Sequence, residues 1–339
     1  MKLQEFATLM RPSIEEALQQ AVNRAPDQSL VPFYGWLAYH MGWAGEGAGV
    51  VAQGKRIRPL MVLLCCLAAD GEWQPALPAA AAVELVHNFS LIHDDVEDQG
   101  EMRHGRPTVW IKAGTAQAIN AGDLLFTLAQ NTVLGLKDTI NAQVACEAAF
   151  VLNRACQRLT EGQFLDLSYE KMDDLPLDAY FPMVNGKTAS LLSACAELGA
   201  VCAQVSSQRR EAFARFGNRL GMAFQAVDDW LGIWGDAALV GKSVESDLVS
   251  KKKTLPVLFG LQLKGKFADH WNQAVEINPA DVPYLAKLLI EEGAQDFTVR
   301  EADRLTDEAL SALKEACPRE SDASLALLEL ANALLRRDK

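Results

Sequence analysis

The sequence lacks the features that mark several common classes of protein. Its seven cysteines include no Cys-x-x-Cys pair, which excludes a zinc or redox motif of that spacing. It has no glycine-rich nucleotide loop and no alternation of strand and helix patterns, which excludes a doubly wound sheet. No stretch reaches the ~18 uncharged apolar residues of a membrane-spanning helix. The amino terminus turns acidic at Glu5 and lacks the apolar core of a signal peptide.

Basic residues are fewer than acidic ones, with 32 lysines and arginines compared with 44 aspartates and glutamates. The net charge of −12 argues against nucleic acid as a partner. The odd number of cysteines, most of them in apolar stretches, is typical of buried, reduced thiols. We therefore expect a cytoplasmic protein without a stable membrane span. If such an acidic protein binds an anion, it needs local basic groups and metal ions to reverse the field.

The residues that are abundant are typical of helices. Half of the chain is hydrophobic, alanine and leucine dominate, and Gly or Pro recurs at loop-like intervals. No low-complexity linker divides the chain, so we expect a single all-α domain over residues 1–339. The expected helices cover about residues 56–70, 75–98, 115–135, 140–170, 178–203, 208–236 and 252–263.

An acidic cluster ends the expected helix 75–98. Asp94 and Asp98 are four residues apart and lie ~40° apart on one helical face, and His87 points within ~20° of Asp94. Like charges at this spacing destabilise a helix unless a cation neutralises them, and hard oxygen ligands suit Mg²⁺. The plainer interpretations are a solvated acidic helix end and a hydrogen-bonded core histidine.

A second acidic pair, Asp228-Asp229, lies in an apolar helix, where buried carboxylates need a partner or a metal. A lysine-rich loop follows it, and lysine is a mobile point charge for phosphate oxygens. An exposed charged loop is the alternative reading of those lysines. Two more basic segments fit phosphate chemistry, although a helix kink with a snorkelling lysine would also explain the second. They are Gly54-Lys55-Arg56-Ile57-Arg58-Pro59 and Gly186-Lys187-Thr188.

Taken in order, these motifs resemble those of the trans-isoprenyl diphosphate synthases, also called polyprenyl synthetases. Each motif is weak alone, but the ordered set over roughly residues 50–260 is highly specific. The matching residues are Gly54-Lys55-x-x-Arg58-Pro59, His87, Asp94-Asp95-x-x-Asp98, Arg103, Gly105-x-Pro107-Thr108, Gly162-Gln163 with Asp166, Lys187-Thr188, Phe224-Gln225 with Asp228-Asp229, Gly241-Lys242, Asp247-Leu248 and Lys252-x-Thr254.

The resemblance implies a large helical bundle around a central active-site cavity, the isoprenoid synthase fold, in a homodimer. It implies a Mg²⁺-dependent prenyltransferase, with three Mg²⁺ ions per active site, that condenses isopentenyl diphosphate with an allylic diphosphate. The implied metal ligands are Asp94, Asp98 and Asp228. The implied ligands of isopentenyl diphosphate are Lys55, Arg58 and His87, and those of the allylic diphosphate are Arg103, Lys187, Lys242 and Lys252. The implied catalytic residues are Lys187, Thr188 and Gln225, of which Thr188 and Gln225 face the reacting carbons.

Two positions depart from the family pattern. His104 stands where the family commonly has a second arginine that helps to bind isopentenyl diphosphate, and Arg106 is a candidate to compensate. Gly232 stands where the downstream motif usually ends in a third aspartate, and Asp236 is a candidate to act through water.

These departures keep two alternatives open. One is a terpene cyclase-like or non-coupling enzyme on the same fold, and the other is a regulatory subunit of a heteromeric synthase. The three implied isopentenyl diphosphate ligands argue against the first, because a cyclase needs no second diphosphate pocket. The retained carboxylates argue against the second.

Product length depends in this family on the residues that precede the first cluster. A bulky side chain at the fifth position before Asp94 shortens the cavity. Here Phe89 is aromatic and Ser90 is small, which resembles producers of the C20 diphosphate, with C15 as the next candidate. The plainer interpretation is that Phe89 is ordinary core packing.

Overall fold

Helices form nearly all of the regular structure, which confirms the all-α prediction. The computed structural model describes residues 1–22, 25–235 and 246–335. The only sheet in these residues is a short antiparallel hairpin of β1 (Met102–Arg103) and β2 (Arg106–Pro107). The helices are α1 (Leu3–Val22), α2 (Val31–His40), α3 (Val50–Gln53), α4 (Ile57–Ala68), α5 (Leu77–Glu97), α6 (Val109–Ala113), α7 (Thr115–Val133), α8 (Leu136–Thr139), α9 (Ala142–Glu170), α10 (Tyr180–Val184), α11 (Ser190–Cys202), α12 (Ser207–Trp234), α13 (Ser246–Val249), α14 (Leu255–Leu263), α15 (Lys266–Gln273), α16 (Val282–Glu291), α17 (Ala294–Ala316) and α18 (Asp322–Leu335).

The helix expected over residues 178–203 is interrupted, whereas the other expected helices match observed ones to within about three residues. Helix α10 gives way to a π-helical turn over Asn185–Ala189 before α11 begins. Such turns insert one extra residue into a helix and are frequent at functional sites. This turn carries two of the predicted site residues, Lys187 and Thr188.

The chain divides into two compact units. Unit 1 comprises Met1–Arg154, Ala194–Glu211 and Cys317–Leu327, and unit 2 comprises Ala155–Ser193, Ala212–Ala316 and Leu328–Lys339. Unit 2 contains two apolar clusters, one that includes Tyr180 and Met222 and another that includes Phe267 and Trp271. The single domain over residues 1–339 stays a prediction.

Helix α5 is the central helix of unit 1. Its residues from Ala79 to Val86 are buried, and α1, α4 and α7 pack against it. Among the described residues, one segment, Gln74–Glu97, is long and apolar enough to cross a membrane by composition. In the structure 61% of its most apolar window is buried, as in the core helix of a globular unit. Core packing therefore accounts for its apolar character.

The turn that leads into α4 is held by a buried arginine. Arg56 is 4% exposed, has a left-handed backbone with a φ of 51°, and donates to Glu15 of α1 at 2.7 Å and to Glu84 of α5 at 2.8 Å. Its guanidinium also donates to the carbonyl of Met41. Because Arg56 ties three segments together, it fixes where its neighbours Lys55 and Arg58 lie.

We expect Arg56→Met to lower the free energy of unfolding by about 3–5 kcal/mol, since it leaves the buried Glu84 and the half-buried Glu15 without this partner. Urea denaturation would measure this. The matched control is Arg215→Met, which removes a pair with Glu315 whose side chains are 51% and 59% exposed, and should cost less than about 1 kcal/mol. Equal losses in the two variants would contradict the anchoring role.

Candidate active site

The first acidic cluster lies at the carboxyl end of α5, as predicted. Asp94 is partly exposed in the last turn, and the exposed Asp98 caps the helix, its N–H donating to the carbonyl of Asp94 at 2.8 Å. The last turn has no basic residue, and the helix dipole adds negative charge at this end. Both effects favour a cation beside the two carboxylates.

The donor set at this helix end fits Mg²⁺. Within the described parts of the chain, no group of three or more His, Cys, Asp or Glu side chains is arranged to hold a metal. Mg²⁺ seldom uses such a cage, because it keeps water and substrate phosphate oxygens and takes one or two carboxylates from the protein. Asp94 and Asp98 can supply those two.

Asp95 has a different role from its neighbours. It is 5% exposed, and Arg103 donates to it from both Nε, at 2.9 Å, and Nη2, at 2.7 Å. Burial raises the pKa of the Asp95 carboxyl, and the hydrogen bond from Arg103 opposes that rise. The salt bridge to Asp95 fixes the position of the Arg103 side chain. That Arg103 binds an allylic diphosphate stays a prediction.

A basic pocket of about 140 Å³ brings together the residues predicted to bind isopentenyl diphosphate. Lys55 lines it from the turn before α4, Arg58 from the first turn of α4, and His87 from α5. Burial, followed by the nearby Arg58, lowers the pKa of His87 well below its usual range. The side chains that line this basic pocket include His40, Lys55, Arg56, Arg58, His87, Arg103 and His104.

No sequence motif identifies His40 as a site residue. It ends the apolar helix α2, fourteen residues before Gly54, and no local pattern marks it. Burial and the charge of Arg103 lower its pKa to about 3. Its Nε2 is buried and has no hydrogen-bond partner among the described residues.

Arg106 is not available to compensate for the arginine that is missing at His104. It is 7% exposed, and its guanidinium donates to the carbonyls of Tyr39, Ala44 and Glu46 at 2.7–2.9 Å. These bonds hold the loop after α2, so Arg106 has a structural role.

The second acidic pair lies in α12 and is part of unit 2. Asp229 is 4% exposed and accepts from the backbone N–H of Leu255 at 3.0 Å and from Nε2 of Gln225 at 2.9 Å. Burial raises the pKa of Asp229 to about 7 despite these bonds. Thr188 donates to Oε1 of Gln225 at 2.9 Å. The predicted catalytic pair Thr188 and Gln225 is therefore in direct contact, while Asp228 beside it is only half-buried.

Glycine allows the π-helical turn to lie directly against α9. A Cβ on Gly162 would come within 2.1 Å of the backbone nitrogen of Lys187, and a Cβ on Gly186 would come within 2.6 Å of the carbonyl of Arg158. The ammonium of Lys187 pairs with Asp166 of α9. The motif residues Gly162 and Asp166 thus position Lys187.

The three consecutive lysines have three different environments. Lys251 donates to the carbonyl of Ala274 at 2.6 Å, and Lys253 donates to the carbonyl of Tyr169 at 2.6 Å. Lys252 is exposed, which fits its predicted role as a diphosphate ligand. Lys242 and Asp236 lie outside the described residues.

A carboxylate from another segment fills the space beside Gly232. A Cβ built on Gly232 would lie 1.9 Å from Oδ2 of Asp247. The position that lacks the third aspartate of the motif therefore still has a carboxylate next to it, although this carboxylate comes from α13.

We expect Gly232→Ala to lower the free energy of unfolding by about 1–3 kcal/mol, because the new methyl group must displace Asp247. In an Asp247→Ala background most of this loss should disappear, and a double-mutant cycle by urea denaturation measures the difference. Gly35→Ala is the control, since no heavy atom lies within 4 Å of its added Cβ. Equal losses from Gly232→Ala in both backgrounds would contradict the contact.

Comparison with known proteins places these residues in context. The profile of the polyprenyl synthetase family matches residues 48–289. A (2E,6E)-farnesyl diphosphate synthase of Mycobacterium tuberculosis is 44% identical over 223 residues, which cover 65% of this chain and 61% of that protein. A geranylgeranyl diphosphate synthase of the same organism is 36% identical over 323 residues, which cover 94% of this chain and 90% of that protein. The chain thus spans about three-fifths of the length of the first relative and nine-tenths of the second.

Solved structures share the fold. Geranylgeranyl pyrophosphate synthetase from Pyrococcus horikoshii aligns with a TM-score of 0.88 at 30% identity and covers 99% of both chains. A polyprenyl synthase from Caulobacter crescentus, complexed with calcium and isoprenyl diphosphate, aligns with a TM-score of 0.82 at 29% identity and covers 99% of this chain and 98% of that one. The family match, the relatives and the all-α fold agree with the resemblance seen in the motifs, and the chain belongs to the polyprenyl synthetase family.

Proposed function

We propose that the protein is a prenyltransferase that condenses isopentenyl diphosphate with an allylic diphosphate to give a short-chain isoprenyl diphosphate. The observation that carries this proposal is the arrangement of α5. His87 lines the basic pocket, and Asp94 follows it two turns later, about 10 Å along the same helix face. One helix therefore presents an anion pocket and a metal-binding carboxylate pair, which a reaction between two diphosphates requires.

The names of the relatives support the same activity. Farnesyl and geranylgeranyl diphosphate synthases both appear among them. The preserved pocket of Lys55, Arg58 and His87 favours coupling over a cyclase-like or non-coupling reaction, because only coupling needs a second diphosphate. The preserved carboxylates argue against a regulatory subunit.

We propose three Mg²⁺ ions, two at Asp94 and Asp98 and a third at Asp228, with Asp247 as the carboxylate that replaces the third aspartate of the second motif. The calcium in the Caulobacter crescentus relative supports a divalent cation. When bound, such ions act as Lewis acids that stabilise the negative charge developing on the departing diphosphate.

The chain's own residues orient and stabilise the reacting groups. Lys187 and Lys252 offer ammonium groups to the allylic diphosphate, together with Arg103 and the predicted ligand Lys242. The dipoles of Thr188 and Gln225, fixed by their mutual hydrogen bond, face the carbons where positive charge develops. Such dipoles are effective where water is excluded, and the buried Asp229 holds Gln225 in this orientation.

Phe89 is part of an aromatic cluster that is suited to limit product length. Its ring packs edge-to-face on the rings of Phe126 of α7 and His93, with ring centroids 5.2 Å and 5.7 Å apart. Ser90 beside it is buried. We propose that this cluster lies at the end of the chain-binding cavity and limits the product to C20, or to C15 as the second candidate. Core packing remains the competing explanation of the same contacts.

We also propose a homodimer in the cytoplasm. Helix α9 exposes two large aromatic side chains, Phe150 at 67% and Phe164 at 69%. They are fourteen residues apart, so they lie on nearly the same face of the helix. Exposed apolar side chains on one helical face are typical of a surface that a second copy of the chain covers.

The test of the proposed reaction is incorporation of labelled isopentenyl diphosphate with C5, C10 and C15 allylic primers in the presence of Mg²⁺. We expect label in C20 or C15 diphosphates. Ionisation of a primer without incorporation would favour the non-coupling alternative, and no turnover of any primer would favour the regulatory subunit.

We expect Asp94→Ala to lower kcat by orders of magnitude, because the metal loses a ligand. Asp247→Ala should cause a smaller loss that added Mg²⁺ partly restores. Steady-state kinetics over a range of Mg²⁺ concentrations would measure both, with the exposed Asp138→Ala on α8 as the control. Normal turnover in Asp94→Ala would remove the metal assignment.

We expect Phe89→Ala to lengthen the product by at least one isoprene unit, since it removes the ring that faces Phe126. Chromatography of dephosphorylated products would show the shift, and Phe89→Tyr should keep the original length. An unchanged product distribution in Phe89→Ala would favour core packing as the role of this residue.

A further inference from the structure

The tip of the β-hairpin places His104 in the basic pocket. His104 and Gly105 form a two-residue turn between β1 and β2, and both have positive φ, at 49° and 74°. Turns of this kind match the twist of the strands they join, and histidine is among the residues that tolerate the left-handed region. The turn therefore gives His104 a defined position next to Arg103.

The pocket has fewer available positive charges than its composition indicates. Arg56 is paired with Glu15 and Glu84, and Arg103 is paired with Asp95. Only two permanent cations of the pocket have no carboxylate partner in the described ranges, namely Lys55 and Arg58. A bound diphosphate carries more negative charge than two cations balance.

Three histidines, His40, His87 and His104, are also part of the pocket lining. Burial is the main cause that lowers the pKa of each, and neighbouring arginines lower it further, so all three are neutral near pH 7 when no anion is bound. His104 differs from His40 and His87, because the nearby carboxylate of Asp95 opposes part of the lowering of its pKa. It is also the least enclosed of the three, and so it loses the least hydration on becoming charged.

We propose that His40 and His104 are further binding residues for the diphosphate of isopentenyl diphosphate, and that His104 takes up a proton from solvent as the anion binds. This rests on the proposed function of the pocket. The charged or titratable groups around His104 come from its own hairpin, from α2, from α5, from the turn before α4 and from α4 itself; they are Arg103, Arg106, Tyr39, His40, Glu84, His87, Asp95, Lys55, Arg56 and Arg58.

The physical reason is the sign of the local field. Without an anion, the arginines around His104 oppose its protonation. A diphosphate reverses that field, and an opposite charge nearby favours the charged form of a histidine. His40 stays neutral. In the tautomer that carries its hydrogen on Nε2, this N–H donates to a phosphate oxygen. Without the anion, Nε2 has no hydrogen-bond partner among the described residues.

A linkage between binding and protonation follows. If one proton is taken up, the affinity for isopentenyl diphosphate weakens by up to about tenfold per pH unit above the pKa of His104 in the free protein. The effect ends above the pKa in the complex. An arginine at this position stays charged throughout and causes no such dependence.

Isothermal titration calorimetry of the full chain tests the proposal. Isopentenyl diphosphate is titrated at pH 8 without Mg²⁺ in three buffers that differ in ionisation enthalpy, and the slope of the observed enthalpy counts the protons taken up. We expect a clear uptake in the natural protein and a count lower by about half a proton or more in His104→Arg, which should still bind. The difference between the two proteins cancels any proton that the ligand itself gains or loses.

Two further variants separate the roles. His40→Ala should weaken binding about tenfold while the proton count persists, since it loses a hydrogen bond to a charged group. His270→Ala, on α15 in unit 2, should change neither quantity. A proton count in His104→Arg equal to that of the natural protein, or unchanged affinity in His40→Ala, would overturn the corresponding assignment. Thermal melting of each variant confirms that it is folded.

Failure of this inference is distinguishable from failure of the proposed function. If isopentenyl diphosphate binds and is incorporated into a longer chain but His104→Arg leaves the proton count unchanged, only the inference fails. If it neither binds nor is incorporated, the proposed function fails and the inference fails with it.

Discussion

The negative end of a buried helix is the constraint on which the site depends. Helix α5 is apolar on most sides and ends in Asp94, Asp95, Glu97 and Asp98, with no basic residue in its last turn. Its dipole adds to that charge. The structure pairs Asp95 with Arg103, while Asp94 is half-buried and Asp98 is exposed at the helix end. A cation that binds at this end therefore meets a favourable field already in place, and a metal-bridged anion is the natural ligand.

Much of this could be predicted from the sequence, because the relevant rules are local. Apolar periodicity located the main helices, and the four-residue spacing of Asp94 and Asp98 placed both on one face of α5. Gln225 and Asp229 are also four residues apart, and they are hydrogen-bonded in the structure. Each of these inferences needs only the geometry of a single helix.

The remaining features depend on contacts between segments far apart in the chain. No local pattern reveals that Arg106 donates to the loop after α2 or that His40 lines the basic pocket. Nor does one reveal that Lys251 and Lys253 donate to backbone carbonyls while Lys252 is exposed. The π-helical turn has a similar origin, because it depends on how closely Gly162 of α9 approaches Lys187. Residue type and spacing describe these residues correctly but do not determine their partners.

The contact between Gly232 and Asp247 has a consequence for how relatives of this chain are classified. A search that scores residues by their intervals along the polypeptide counts Gly232 as a lost ligand. A comparison of where oxygen atoms lie in three dimensions finds a carboxylate in that vicinity. Inactivity inferred from one altered motif position is therefore unsafe until the segments that pack against that position have been inspected.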